Sequence, residues 1–261
     1  MTRMIGLTLK AWTSWLLLLP LTQIVSAAVW QWSVEVPPVP DRQFESPRAY
    51  LWIPPHCERV RGVVFGQHNM EEIGVMEHPV FRETLTGMDF AEVWVAPGMD
   101  LYFRFDQGAG EKFGKLMTDL AGVSGYQEIE QAPLVVIGHS AAASLPWIMA
   151  AWKPERIVAG ISVSGWYPYA WDERTAPHGK GRGFDSVPGL MTSGEYEDGE
   201  GRSMRGLGVR RDHPMMPYGY LGCPADGHFL ATDEKIRFLA KYIAKAVARR
   251  LPEKPGEPLR S

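Results

Sequence analysis

The stretch Gly138-His139-Ser140-Ala141-Ala142 directly follows the apolar run Pro133-Leu134-Val135-Val136-Ile137, and that junction leaves the chain few choices. A short apolar run of this kind reads as a strand buried on both faces. The residues from Ala141 to about Trp152 read as a helix. Small residues around Ser140 let the backbone reverse sharply between the two, because a larger side chain at Gly138 or Ala142 would meet the neighbouring backbone. A serine on such a turn is held out for attack. The pattern is G-x-S-x-A, one small residue away from G-x-S-x-G. The competing explanation is a serine N-cap at an ordinary strand-to-helix junction.

A histidine far downstream weighs against that explanation. Asp226-Gly227-His228-Phe229 precedes a segment with a clear helix start: Thr232 offers a cap, Asp233 and Glu234 fall in the first turn, and Ile236, Leu239, Ile243 and Val247 recur on one face. A nucleophile on a mid-chain strand-turn-helix, followed by a histidine in a loop before the last helix, is the order found in α/β-hydrolases. Over roughly residues 45 to 250 the chain resembles that superfamily. It is nearest in kind to secreted esterases such as polyhydroxyalkanoate depolymerases and feruloyl or acetylxylan esterases. The resemblance implies an α/β fold with a mostly parallel central sheet, helices on both faces and a small lid or none. It implies Ser140 as nucleophile, His228 as its base, and no cofactor.

The same resemblance points to the remaining parts of the site. One oxyanion donor would be the N–H of Ala141, and the other a backbone N–H of the loop Gln67-His68-Asn69-Met70, from Asn69 or Met70. The His-Gly pair usual in that loop is His68-Asn69 here. His68, Glu71 and Glu72 also read as possible metal ligands, but H-E-x-x-H spacing is absent and no cysteine cluster supports it, so no metal is expected. The triad acid would follow the strand Val187 to Thr192, where Glu195, Glu197 and Asp198 crowd together. Counting three residues from Gly194 selects Glu197, with Glu195 next. An acid there would hold the His228 ring in the tautomer that accepts the serine proton.

The wider chain is read as alternating strands and helices, the pattern of a parallel sheet with crossover helices. Strands are expected at Arg48–Ile53, Arg61–Gly66, Glu92–Pro97, Arg156–Gly165, Val187–Thr192 and Tyr218–Leu221, with a helix over Gly110–Ala121. Residues 1–27 read as a signal peptide: Arg3 and Lys10 precede an apolar stretch broken at Pro20, and Val25-Ser26-Ala27 offers small residues for cleavage. The catalytic domain would then span 28–250, leaving 251–261 as a solvated, Pro-rich tail. Export to the periplasm or exterior follows, without stable membrane insertion. A formal charge of −3 gives no general attraction to nucleic acid.

After the strand ending at Gly165 comes Trp166-Tyr167-Pro168-Tyr169-Ala170-Trp171, at a position that should rim the site. Trp166, Tyr167 and Trp171, with His139, are candidate substrate contacts; packing of a small lid is an equal reading for the aromatics. The two cysteines, Cys57 and Cys223, fall at opposite ends of parallel strands. A strand of about five residues spans roughly 17 Å, whereas a bridge tolerates a Cα separation of about 7 Å, so free thiols are expected. Together these readings describe an exported, monomeric serine esterase whose substrate is an ester, with polysaccharide-borne esters of plant or microbial origin foremost. A non-catalytic carbohydrate-binding protein on the same fold and a lipid or polyester hydrolase remain alternatives.

Overall fold

The computed structural model describes residues 30–37, 46–165, 167–168, 185–197, 199–229 and 231–261. The residues expected to form a signal peptide, and with them Trp166, Trp171 and Asp198, lie outside that set.

Among the described residues eight strands form one sheet: β1 (Trp32–Glu35), β2 (Arg48–Trp52), β3 (Gly62–Gln67), β4 (Phe90–Ala96), β5 (Leu134–His139), β6 (Ile157–Val163), β7 (Gly189–Gly194) and β8 (Tyr218–Cys223), in the order β1-β2-β4-β3-β5-β6-β7-β8. The pairs β1/β2 and β2/β4 are antiparallel, and every other pair is parallel. β3, β5, β6 and β7 are buried along their whole length, as strands covered by helices on both faces must be. This is the α/β fold expected from the sequence, extended by the antiparallel edge strand β1.

Among the described residues six helices cover the sheet: α1 (Glu72–Met76), α2 (Pro79–Thr86), α3 (Ala109–Ser124), α4 (Leu145–Trp152), α5 (Gly199–Asp212) and α6 (Asp233–Arg250). On one face Phe113, Leu116, Met117 and Leu120 of α3 join Trp147, Ile148 and Met149 of α4. On the other, Phe81 and Leu85 of α2 pack with Ile236, Leu239 and Ile243 of α6. The start of α6 is as read from the sequence: Thr232 accepts the Lys235 N–H through its side chain. A cap of this kind contributes about 1 kcal/mol, and burying each large apolar side chain of the helix about 1.5–3 kcal/mol. Residues 253–258 are exposed, yet the terminus is pinned: Leu259 packs on the α6 face of the core, and the Arg260 N–H donates to Arg250 O. Cys57 and Cys223 are buried and unbridged, and desolvation raises both thiol pKa values.

The order of the strands positions the site. From β3 the chain goes outward to β4, then returns past β3 to β5, so the strand order reverses between β3 and β5. Their pairing runs from Val63↔Leu134 to Phe65↔Val136 and stops there. Beyond it the carboxyl ends part and leave a crevice, the place where open α/β sheets bind ligands.

Candidate active site

Ser140 sits where β5 turns into a 3-10 segment, Ser140–Ser144, that leads into α4. Its φ is +53°, in the left-handed region that costs a residue with a Cβ about 1–2 kcal/mol. Such a turn exists only because its neighbours are small. A Cβ on Gly138 would lie 2.1 Å from Ala142 O, and one on Gly165 would lie 2.0 Å from the Ala143 Cβ. The first N–H groups of this segment, Ala141's among them, have no partner within a helix.

His228 reaches Ser140 from the loop after β8. Its Nε2 is 2.8 Å from Ser140 Oγ. Its Nδ1 is 3.2 Å from Glu197 Oε1, in a 3-10 turn (Glu195–Glu197) that follows directly on β7. The Glu197 side chain is 4% exposed; its other oxygen accepts from Ser193 Oγ at 3.3 Å and lies 3.4 Å from Arg202 Nη1. Glu195 does different work. It is exposed, and its carboxylate accepts the Ala225 N–H at 2.9 Å, fastening the histidine loop. The loop is fixed further by the buried pair Lys235–Asp226 at 3.1 Å and by the Tyr196 N–H donating to Asp226 O. Three of the residues singled out in the sequence, Ser140, His228 and Glu197, thus come together, with the His228 ring between the other two.

His139 and Tyr167, read as substrate contacts, are buried instead. His139 is 1% exposed: its Nε2–H donates to His228 O at 2.8 Å, and its ring lies 4.9 Å from the His228 ring. Burial lowers its pKa and keeps the ring neutral. Among the described residues its Nδ1 has no hydrogen-bond partner. It holds the backbone of His228 in place from the buried end of β5. Tyr167 packs into the core and donates its hydroxyl to Arg202 O on α5. The apolar side chains that do face outward here are Met70, 47% exposed, and Phe229, 58% exposed with its ring edge-on to His228 at 4.7 Å.

The backbone N–H groups expected as oxyanion donors are engaged within their own loop. The N–H groups of both Asn69 and Met70 donate to Glu72 Oε2, at 3.2 and 2.9 Å, while Glu72 Oε1 accepts the His139 N–H at 2.9 Å. Glu72 is 1% exposed and fills the crevice between β3 and β5. Among the described residues no three His, Cys, Asp or Glu side chains converge as metal ligands. The role of Glu72 has a trace in the sequence. In Asn69-Met70-Glu71-Glu72 a glutamate turns back to an N–H three residues earlier, as in the reciprocal half of a capping box.

By sequence, no protein-family model and no curated protein matches the chain. By structure, it is similar to a substrate-bound, fluorophosphonate-binding serine hydrolase of Staphylococcus aureus, at TM-score 0.56 and 10% identity over 81% of this chain and 97% of that one. It is also similar to a hyperthermophilic esterase from the archaeon Pyrobaculum calidifontis (TM-score 0.51, 14% identity, 82% of this chain and 84% of that one). A third is a serine hydrolase without lid from Xanthomonas campestris (TM-score 0.50, 15% identity, 85% and 96%). The chain has the α/β-hydrolase fold. In that fold the strand-turn-helix after β5 is the nucleophile position, which is where Ser140 stands.

Proposed function

We propose that the protein is a serine hydrolase cleaving carboxylic esters through Ser140, His228 and Glu197. The observation that carries the proposal is the line Ser140 Oγ, His228 Nε2 and Nδ1, Glu197 Oε1, with separations of 2.8 and 3.2 Å, built on a serine at φ +53°. The buried Glu197 carboxylate faces Nδ1, which fixes the proton there and leaves Nε2 to accept the serine proton. Ser140 Oγ bonds to the acyl carbon as that proton passes to His228, and the carbonyl electron pair moves onto its oxygen beside the Ala141 N–H. Collapse expels the alcohol, which takes the proton from His228. Water activated by the same histidine then adds to the acyl-enzyme and releases the acid, so that ester and water yield acid and alcohol.

Export, and substrates that are esters of plant or microbial polysaccharides, complete the reading. They are supported by the leader-like residues 1–27 and the aromatic run 166–171 of the sequence. Release of p-nitrophenol from short acyl esters, alongside acetylated and methyl-esterified polysaccharides, tests the activity and ranks its substrates. Turnover of none of them would contradict the proposal.

A further inference from the structure

An oxyanion hole needs a second donor besides the Ala141 N–H, aimed from the loop that follows β3. The backbone of that loop is already committed. The His68 N–H donates to Val95 O at 2.7 Å, and those of Asn69 and Met70 go to Glu72. The carboxylate gathers these with the His139 N–H and so ties the loop to the nucleophile strand at the point where β3 and β5 part. What the clamp leaves beside the peptide that enters Ser140 is a side chain. Asn69 Nδ2 lies 2.9 Å from His139 O, the carbonyl of the peptide that leads into Ser140. A primary amide carries two N–H groups. One is used on that carbonyl, and among the described residues the other makes no hydrogen bond.

We propose that the Asn69 side-chain amide is the second oxyanion donor, and that Glu72 is the positioning residue that holds it there. The inference rests on the esterase reading of Ser140. A half-buried amide anchored on one hydrogen is preorganised, so the remaining N–H can meet a developing oxyanion without paying for reorientation. Glu72 takes three N–H donors from its own chain, which directs its oxygens toward them rather than into the hole.

The test is the hydrolysis of p-nitrophenyl butyrate by Asn69→Ala and Asn69→Asp, expressed per active site titrated with a fluorophosphonate. Alongside it runs the affinity for an aryl trifluoromethyl ketone, whose serine adduct carries the oxyanion. The expected result is a fall in kcat of about 10²–10³-fold, the loss typical of one oxyanion donor. The ketone should weaken by a similar factor while KM stays within a few fold. Glu72→Gln should lower kcat in the same direction. A kcat for Asn69→Ala and Asn69→Asp within threefold of wild type would overturn the proposal. So would faster turnover by Glu72→Gln, which would mean that the freed backbone N–H groups are the donors. Failure of the wild-type protein to react with fluorophosphonate would instead remove the esterase reading itself.

Discussion

The two flanks of Ser140 are built differently. On the β7/β8 side the acid, the histidine and the serine meet as the order of motifs predicts, and the supports are side chains acting at a distance: Glu195 on Ala225, Lys235 on Asp226. On the β3/β5 side the expected backbone donors of Asn69 and Met70 are turned inward onto Glu72. A carboxylate buried with three N–H donors is well satisfied, and it holds the loop in a shape that a simple backbone hole would not need. The contrast teaches that the meeting of Ser140, His228 and Glu197 follows from the topology of the sheet, whereas the shape of the β3 loop depends on one side chain, Glu72, that the fold does not dictate.

Among the residues that flank Ser140, the largest effect should come from Glu197. Glu197→Gln keeps the shape but loses the charge that fixes the His228 tautomer, and turnover should fall by about 10⁴-fold. Glu195→Gln should fall less than about tenfold, since its neutral amide can still accept the Ala225 N–H. Steady-state rates of the two variants decide between them; the reverse ranking would break the assignment of roles on that flank. Next in size is the support of the histidine loop. Asp226→Ala leaves the Lys235 ammonium, 3% exposed, without its carboxylate. Removing one partner of a buried pair costs about 3–5 kcal/mol, to be read as unfolding free energy in urea.

The fold was legible because its signals are local. The nucleophile strand, the capped α6 and the run of buried strands each announce themselves by periodicity or punctuation. The helix α5 does not: Gly199-Glu200-Gly201-Arg202-Ser203-Met204-Arg205-Gly206 mixes glycine and charge, with no apolar stripe. Its Arg202, beside Glu197, was therefore invisible. The edge strand β1 is short and half-buried, so it lacks the continuous apolar run that marked the others. The burial of His139, and which of the two readings holds for Tyr167, could not be read from the sequence for a related reason. Position beside a strand end says that a residue is near the site, but whether its side chain faces substrate or core is fixed by packing.

The smallest effect concerns His139, and it sharpens the contrast by probing the joint between the flanks. Burial, the leading cause, lowers its pKa from the unfolded value of 6.5, opposed by the hydrogen bond to His228 O and by Glu72 and Glu71. The unfolded chain therefore binds a proton that the folded chain refuses as pH falls below about 6.5. Stability is greatest above that value and declines toward the lowered folded pKa. Unfolding midpoints from pH 7.5 to 5 should show this decline in the wild type and a shallower one in His139→Gln. Equal slopes would contradict a neutral, buried His139.

The central claim is that Ser140, and no other residue, is the nucleophile. Incubation of the wild type and Ser140→Ala with a fluorophosphonate, followed by intact mass and peptide mapping, tests it most directly. The expected result is one phosphonyl group on the Ser140 peptide of the wild type, none on a normally folded Ser140→Ala, and a loss of p-nitrophenyl ester turnover in that variant of roughly three to six orders of magnitude. Labelling at another residue, or near-wild-type turnover by Ser140→Ala, would contradict it.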